Sequence, residues 1–351
     1  MRFLLALSVA WTHAGLPKGL SGDLCVTVFF AISGFYMAMV LAERRAYGEV
    51  RTFYKQRLLR LFPTYWVLLA LSVLLGIWLP SHGWRFALEL DLPTAHPWLF
   101  LGWILSQALI LCQDVLLFFG LDAQGMLAFR PLEAAPGTAL TSLNIIPPAW
   151  SLSLELMFYL VVPFLARWST RRLAVLMGAS ILLRLALAFG ADLGQDPWAT
   201  RFFPSELSFF LLGMLAFRWV CAPGASLLSA GGLLYLGAVA AAVASLAANG
   251  FGHVNAKLLS PAAAATLLLT AAIPWLFRLT RSARWDRAIG EYSYPLYLCH
   301  VFVFQLFALI MAPGASRNVA MIVAAIGIAV LLTHSIDKPV DRYRHRLMKA
   351  G

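Results

Sequence analysis

Charge is scarce in this sequence. Only 12% of its 351 residues are Asp, Glu, Lys or Arg, while 61% are hydrophobic and the mean hydropathy is +0.78. Soluble globular chains carry about a quarter charged residues. The deficit excludes a soluble cytosolic enzyme, and the apolar surplus excludes a disordered chain. Cysteine is scarce as well. The four, Cys25, Cys112, Cys221 and Cys299, lie inside apolar runs without metal-type spacing, so a disulfide scaffold is excluded and the thiols read as small buried hydrophobes. Also missing are a repeat of fixed period, a Gly-rich phosphate loop, a Gly-x-Ser-x-Gly elbow and a transporter-like pair of broken helices. No two histidines stand four apart on one helix and no carboxylate cluster exists, so no metal is expected.

What the chain has is a series of apolar runs, at 3–15, 23–42, 63–80, 97–121, 150–166, 173–190, 203–222, 227–248, 258–278, 292–312 and 317–335. Most approach the roughly 20 residues that cross a hydrocarbon core of about 30 Å. In lipid the backbone satisfies itself only in helices or closed barrels, so the expected fold is all-α, a polytopic membrane helical bundle. Two runs are atypical. The first, about 12 residues at ~1.5 Å each, reaches only ~18 Å. It also fits a signal peptide with Arg2 as the basic end, but His13 interrupts it and no small-x-small cleavage site follows. The fourth contains Gln107, Gln113 and Asp114 and leads into a stretch rich in Pro and Gly (122–149).

The balance of 27 Lys and Arg against 16 Asp and Glu gives a formal net charge of +11. The surplus gathers in 43–62 (Arg44, Arg45, Arg51, Lys55, Arg57, Arg60), around Arg167, Arg171 and Arg172, at Arg278–Arg287, and in the tail from Lys338 to Lys349. By the positive-inside rule these four segments are cytoplasmic, as are both termini. The alternation then works everywhere except 97–149, which must cross an even number of times. A re-entrant or interfacial segment there leaves about ten transmembrane helices. The basic surplus is thus a topology signal, and no nucleic-acid partner is expected. One transmembrane domain over 1–351, with no appended soluble domain, is the expected organisation.

Ionisable side chains inside spans are costly and start as functional candidates. Arg2 and His13 are eleven apart, so they fall on nearly the same helix face. An imidazole can take a proton from a hydroxyl near neutral pH, or it can simply cap a helix end, and spacing leaves both open. In Phe29-Phe30-Ala31-Ile32-Ser33-Gly34-Phe35 the small pair Ser33-Gly34 permits close helix approach. Arg57 and Arg60 share a face, with Pro63 expected in the first turn of the following helix. Paired guanidiniums at a cytoplasmic edge either clamp phosphates or anchor the topology. Trp150-Ser151-Leu152-Ser153-Leu154-Glu155 places a carboxylate early in a span, where it can orient a histidine, bind a hydroxyl or pair with an arginine. Arg184, Arg201 and Glu206 read as internal ion pairs. Ser293-Tyr294-Pro295-Leu296-Tyr297-Leu298-Cys299-His300 brings phenols and an imidazole within two turns, near a span centre.

Taken in order, these segments resemble acyltransferase family 3, the multispan bacterial O-acyltransferases of surface polysaccharides. Arg2 to His13 is similar to the family's Arg-x10-His, and Phe29 to Phe35 to its Phe-Phe-x-x-Ser-Gly-Phe. Arg57, Arg60 and Pro63 resemble Arg-x-x-Arg-x-x-Pro. Trp150 to Pro163 agrees with Trp-Ser-Leu-x-x-Glu-x-x-Phe-Tyr-x-x-x-Pro at every fixed position, and Ser293 to His300 resembles Ser-Tyr-x-x-Tyr-x-x-His. The closing acidic-x-Pro is similar to Asp337–Pro339. The chain departs at Thr27, where an acidic residue often stands in the family, and in having only Met1 before Arg2, which leaves an upstream start open.

The resemblance implies transfer of an acyl group, most often acetyl, from cytoplasmic acyl-CoA to a hydroxyl of a glycan or lipid-linked glycan, by a multi-pass protein of the cell inner membrane. It implies His13 as catalytic base or transient acyl carrier, with Arg2 and Glu155 supporting catalysis and Arg57 and Arg60 holding the CoA phosphates. Ser33, Trp150, Tyr159, Tyr297 and His300 would contact substrate or line the proton path. The competing class is a multispan transporter or permease, which would neither bind CoA nor transfer label from it.

Overall fold

A computed structural model describes the chain except residues 18–19, 44–49, 79–82, 122–126, 130–139, 192, 195, 199, 223–225, 227–228, 250–260 and 351. Arg44, Arg45, His82 and His253 lie outside the described residues. Apart from turns and loops and one short antiparallel pair of strands, β1 (Phe119–Leu121) and β2 (Leu127–Phe129), the described residues are helical. The helices are α1 (Arg2–His13), α2 (Gly22–Glu43), α3 (Val50–Leu75), α4 (Gly83–Glu89), α5 (Leu92–Ala95), α6 (Pro97–Leu109) and α7 (Ala149–Leu165). They continue as α8 (Thr170–Gly190), α9 (Phe203–Val220), α10 (Ala230–Asn249), α11 (Pro261–Thr280), α12 (Arg284–Glu291), α13 (Ser293–Ile310), α14 (Ala315–Leu332) and α15 (Lys338–Ala350).

Among the described residues, 6 helical segments are long and apolar enough to cross a membrane: Gly22–Ala42, Val50–Leu75, Thr170–Gly190, Phe203–Val220, Arg284–Ile310 and Ala315–Leu347. Counting apolar runs leads to about ten; several runs form helices shorter than the runs themselves. Run 97–121 ends its helix at Leu109. The next residue, Ile110, is held at φ 61, a left-handed conformation costly for a β-branched side chain. Large apolar side chains on the long helices stay exposed, Leu182 at 67% and Val323 at 65% among them, and lipid is the surroundings in which such a surface is stable.

Two sequence readings change. Pro63 lies well inside α3 and not in a first turn, because the segment from Val50 is rich in Arg, Leu, Lys and Gln, all strong helix formers. Cys112 and Cys221 are exposed, whereas Cys25 and Cys299 are buried as expected. Cys112 sits at φ 60 in the turn after α6, and Cys221 just past the end of α9.

The chain divides into two compact units. One comprises Met1–Leu5, Leu20–Val50 and Met157–Ala288. Its core is the contact of α2 with α9, made through paired glycines. A Cβ on Gly34 would stand 1.9 Å from the carbonyl oxygen of Phe210, and one on Gly213 1.9 Å from that of Ala31. Phe210 then stacks between Phe30 (4.6 Å between centroids) and Phe158 (4.3 Å). The small pair read at Ser33-Gly34 is therefore a packing device through Gly34. On the other side α8 meets α9 through a fully buried ion pair, Arg184 to Glu206 at 2.9 Å. Arg201 pairs instead with Asp196 at 2.7 Å and with Asp23 at 3.6 Å.

The other unit comprises Ala6–Gly19, Arg51–Leu156 and Ile289–Gly351. One of its cores packs Ala87, Leu92, Trp103, Leu140 and Leu143 around the segment 83–145. A second joins Ala10 and Ala14 to Met321 and Ile322, with Phe304 and Phe307 alongside. This seam holds the end of α1 against α13 and α14. Beyond it the chain reverses at Gly15, whose φ of +72 suits a residue without a Cβ.

Candidate active site

The seam at Ala10 and Ala14 brings the last residue of α1 to the middle of α13. His13 Nδ1 lies 2.8 Å from His300 Nε2, and the two rings stack with centroids 5.1 Å apart. His300 is fully buried, and its Nδ1 lies 2.7 Å from the carbonyl oxygen of Tyr297, one turn earlier. A carbonyl only accepts, so His300 Nδ1 carries a proton. Its described hydrogen-bond partners are a carbonyl and an imidazole, and the tautomer with the proton on Nδ1 satisfies both. His300 Nε2 therefore accepts, His13 Nδ1–H donates to it, and the lone pair of His13 resides on Nε2. The chain Tyr297 O, His300, His13 thus selects a tautomer and aims a basic nitrogen, the geometry an acyl-transfer base requires.

Tyr297 is tied in turn to the start of α7. Its hydroxyl is 2.8 Å from Ser151 Oγ, which donates to the carbonyl of Pro148 at 3.0 Å. Trp150 is buried on the same turn. Glu155, one turn further along α7, is half-buried, and together with Arg60 and Asp337 it lies within electrostatic reach of Tyr294.

Of the other residues singled out in the sequence, Arg2, Ser33 and Tyr159 lie in the first compact unit, and Arg57 and Arg60 in the same unit as the histidines. Arg2 shares helix α1 with His13, but eleven residues separate them by ~16 Å along the axis. Its guanidinium lies 5.1 Å above the ring of Tyr36. Ser33 and Tyr159 belong with Gly34 and Phe158 to the α2–α9 region of the first unit. Arg57 and Arg60 line one face of α3: Arg57 lies over the ring of Phe53 at 5.8 Å, and Arg60 pairs with Asp341 at 3.1 Å. Among the described residues no group of three His, Cys, Asp or Glu stands close enough together to hold a metal.

A buried polar network around the end of α6 carries residues the sequence reading had noted only as interruptions of a run. Tyr65 donates to the carbonyl of Gln107 at 2.6 Å, and Gln113 Nε2 donates to Tyr65 at 2.9 Å and to the carbonyl of Ser106 at 3.1 Å. Ser153, on α7, donates to Asp114 at 2.6 Å. Burial pushes the Asp114 carboxyl up from its ordinary value, against the hydrogen bond from Ser153 that favours the charged form. The signal was present in the sequence, three polar side chains within an apolar run, but nothing local said that they would fold inward onto Tyr65 and Ser153.

No curated protein and no solved structure matches the chain. The family model described as an acyltransferase domain, that of acyltransferase family 3, matches residues 1–334. That span covers both histidines, Arg57 and Arg60, and nearly the whole sequence, so the chain belongs to acyltransferase family 3 and is a membrane acyltransferase.

Proposed function

We propose that the protein is an O-acyltransferase of the cell inner membrane, with about ten spans and both termini cytoplasmic, that moves an acyl group, most simply acetyl, from cytoplasmic acyl-CoA to a hydroxyl of a glycan or lipid-linked glycan. The observation that carries the reading is the bond from His13 Nδ1 to His300 Nε2 at 2.8 Å, anchored at the Tyr297 carbonyl. It leaves His13 Nε2 as the basic nitrogen. His13 takes the proton of the acceptor hydroxyl as its oxygen bonds to the thioester carbonyl carbon. The carbon–sulfur bond then breaks, and His13 returns the proton to the departing thiolate. His300 positions His13 and stabilises its charged form by accepting the hydrogen bond from Nδ1–H.

A hydroxyl-rich acceptor also suits the polar network after α6. Gln113 Oε1 and Asn144 Oδ1 are buried acceptors with no donor among the described residues, the complement of sugar hydroxyls. On the donor side, Arg57 and Arg60 offer guanidiniums for phosphate oxygens. The test is transfer of radiolabel from acetyl-CoA to the host's surface glycan in membranes containing the wild type or His13→Ala. Label in the wild type and none in a normally accumulated His13→Ala is expected. Equal labelling removes His13 from the chemistry, and no acetyl-CoA dependence in the wild type removes the donor assignment.

A further inference from the structure

Helix α15 and the start of α3 are joined by a polar ladder. Thr64 Oγ1 donates to Asp337 Oδ1 at 2.5 Å, Arg60 Nη1 to Asp341 Oδ2 at 3.1 Å, and Arg344 Nε to Gln56 Oε1 at 2.9 Å. The rungs run antiparallel. Gln56, Arg60 and Thr64 are each four apart on α3, while Asp337, Asp341 and Arg344 follow at four and three, so both sets present one helix face. A π-helical turn at Thr333–Asp337 links α14 to α15.

Asp341 also accepts from Arg344 Nη1, so a single carboxylate is shared between Arg60 and Arg344. Arg57 and Arg60 both lie within electrostatic reach of Arg344. Arg57, Arg60 and Arg344 are therefore gathered on two helices, with Asp341 shared between two of them and Asp337 bonded to Thr64. Like charges held this close repel unless an anion joins them. The pairing of Arg60 with Asp341 is partly open, with side chains 23% and 29% exposed, and such pairs contribute little to stability. Stability alone is a weak reason for the arrangement. A phosphate, with more charge and more acceptor oxygens than a carboxylate, outcompetes Asp341 for the same forks. Residue 344 lies beyond the stretch 1–334 that the family match covers, so the match itself does not assign Arg344.

We propose that Arg344 is a third guanidinium of the phosphate site formed with Arg57 and Arg60, and that Asp341 is an internal counter-anion that a phosphate of the acyl-CoA displaces. This rests on the donor assignment made above and deepens it: α15 becomes part of the donor site.

The test measures equilibrium binding of radiolabelled acetyl-CoA to the full chain in lipid vesicles, alongside S-acetylpantetheine, which has the thioester but no phosphate. Arg344→Ala is expected to weaken acetyl-CoA binding about 10- to 100-fold, the loss of one charge-assisted hydrogen-bonding group. S-acetylpantetheine binding should not change. Arg344→Lys should recover part of the loss, Asp341→Asn should bind acetyl-CoA more tightly than wild type, and Arg342→Ala, an exposed cation on the same helix, should match wild type. Wild-type affinity in Arg344→Ala, or equal losses for both ligands, overturns the role of Arg344. Weaker binding in Asp341→Asn overturns the displacement. Failure of the wild type to bind acetyl-CoA overturns the donor assignment and this proposal together, a result distinct from any variant-specific one.

Discussion

His300 Nδ1–H donates a hydrogen bond to the carbonyl of Tyr297 at 2.7 Å, and through the 2.8 Å bond to His13 this arrangement decides which nitrogen of His13 is basic. The relationship resembles the way an acid orients a catalytic imidazole in hydrolase triads, with a neutral imidazole and a backbone carbonyl in place of the carboxylate. A carbonyl holds the tautomer without adding a negative charge to a buried site, which would be costly to desolvate.

Removing the two histidines therefore has different consequences. His13→Ala should lower the acyl-transfer rate by about 10²–10⁴, the usual worth of a positioned acid–base group. His300→Ala should lower kcat by less, leave KM for acyl-CoA near wild type, and shift the pH–rate profile, because His13 keeps its nitrogens but loses the partner that sets its tautomer. Steady-state kinetics in vesicles across pH would show this. A His300→Ala enzyme with an unshifted profile and only a raised KM would contradict the positioning role.

The glycine pair at the α2–α9 contact is expected to be intolerant of a single methyl. A Cβ on Gly34 lies 1.9 Å from the Phe210 carbonyl oxygen, where backbone meets backbone and no flexible side chain can yield. Gly34→Ala should cost about 1–3 kcal/mol or more in thermal unfolding of the detergent-solubilised protein, while Gly178→Ala, which meets nothing within 4 Å, should be near neutral. Equal melting temperatures for the two variants would contradict the close approach.

Arg184 and Glu206 are both fully buried and pair at 2.9 Å. Glu206→Ala strands a guanidinium in the interior and should destabilise by about 3–5 kcal/mol, whereas the double change Arg184→Met with Glu206→Leu should recover most of the loss. Unfolding measurements on the single and double variants check this, and a double variant no better than the single one would count against it.

Asp114 makes stability depend on pH. Burial raises its carboxyl above the ordinary value, so the folded chain holds that proton more tightly than the unfolded one. The contribution is complete below the unfolded value of about 3.9 and is lost as pH rises through the higher folded value, so stability falls with pH across that window. Asp114→Asn should lack this part of the fall while keeping an acceptor for Ser153. Melting temperatures measured from about pH 4 upward should separate the two proteins progressively. Parallel curves would show that Asp114 does not titrate as described.

The family, the all-helical character and most helix positions were legible in the sequence because each depends on local information. Apolar runs long enough to need internal hydrogen bonding make helices wherever they are placed, and the motifs around His13, Arg57, Glu155 and His300 are matters of spacing along one chain. Helix ends were less legible: α3 extends back through a basic segment to Val50, and run 97–121 breaks at Ile110, since helix propensity and a turn held by distant hydrogen bonds both override the hydropathy pattern. Partnership was not legible at all. Residues 13 and 300, 34 and 210, 153 and 114, and 60 and 341 are far apart in sequence, and the energy that joins each pair comes from packing and from burial of polar groups, which exist only once the helices have met. The sequence by itself determined which chemical groups the protein brings into the membrane. Only the tertiary structure decided which nitrogen of His13 is basic and which carboxylate Arg60 and Arg344 share, because both depend on hydrogen bonds between distant segments of the chain.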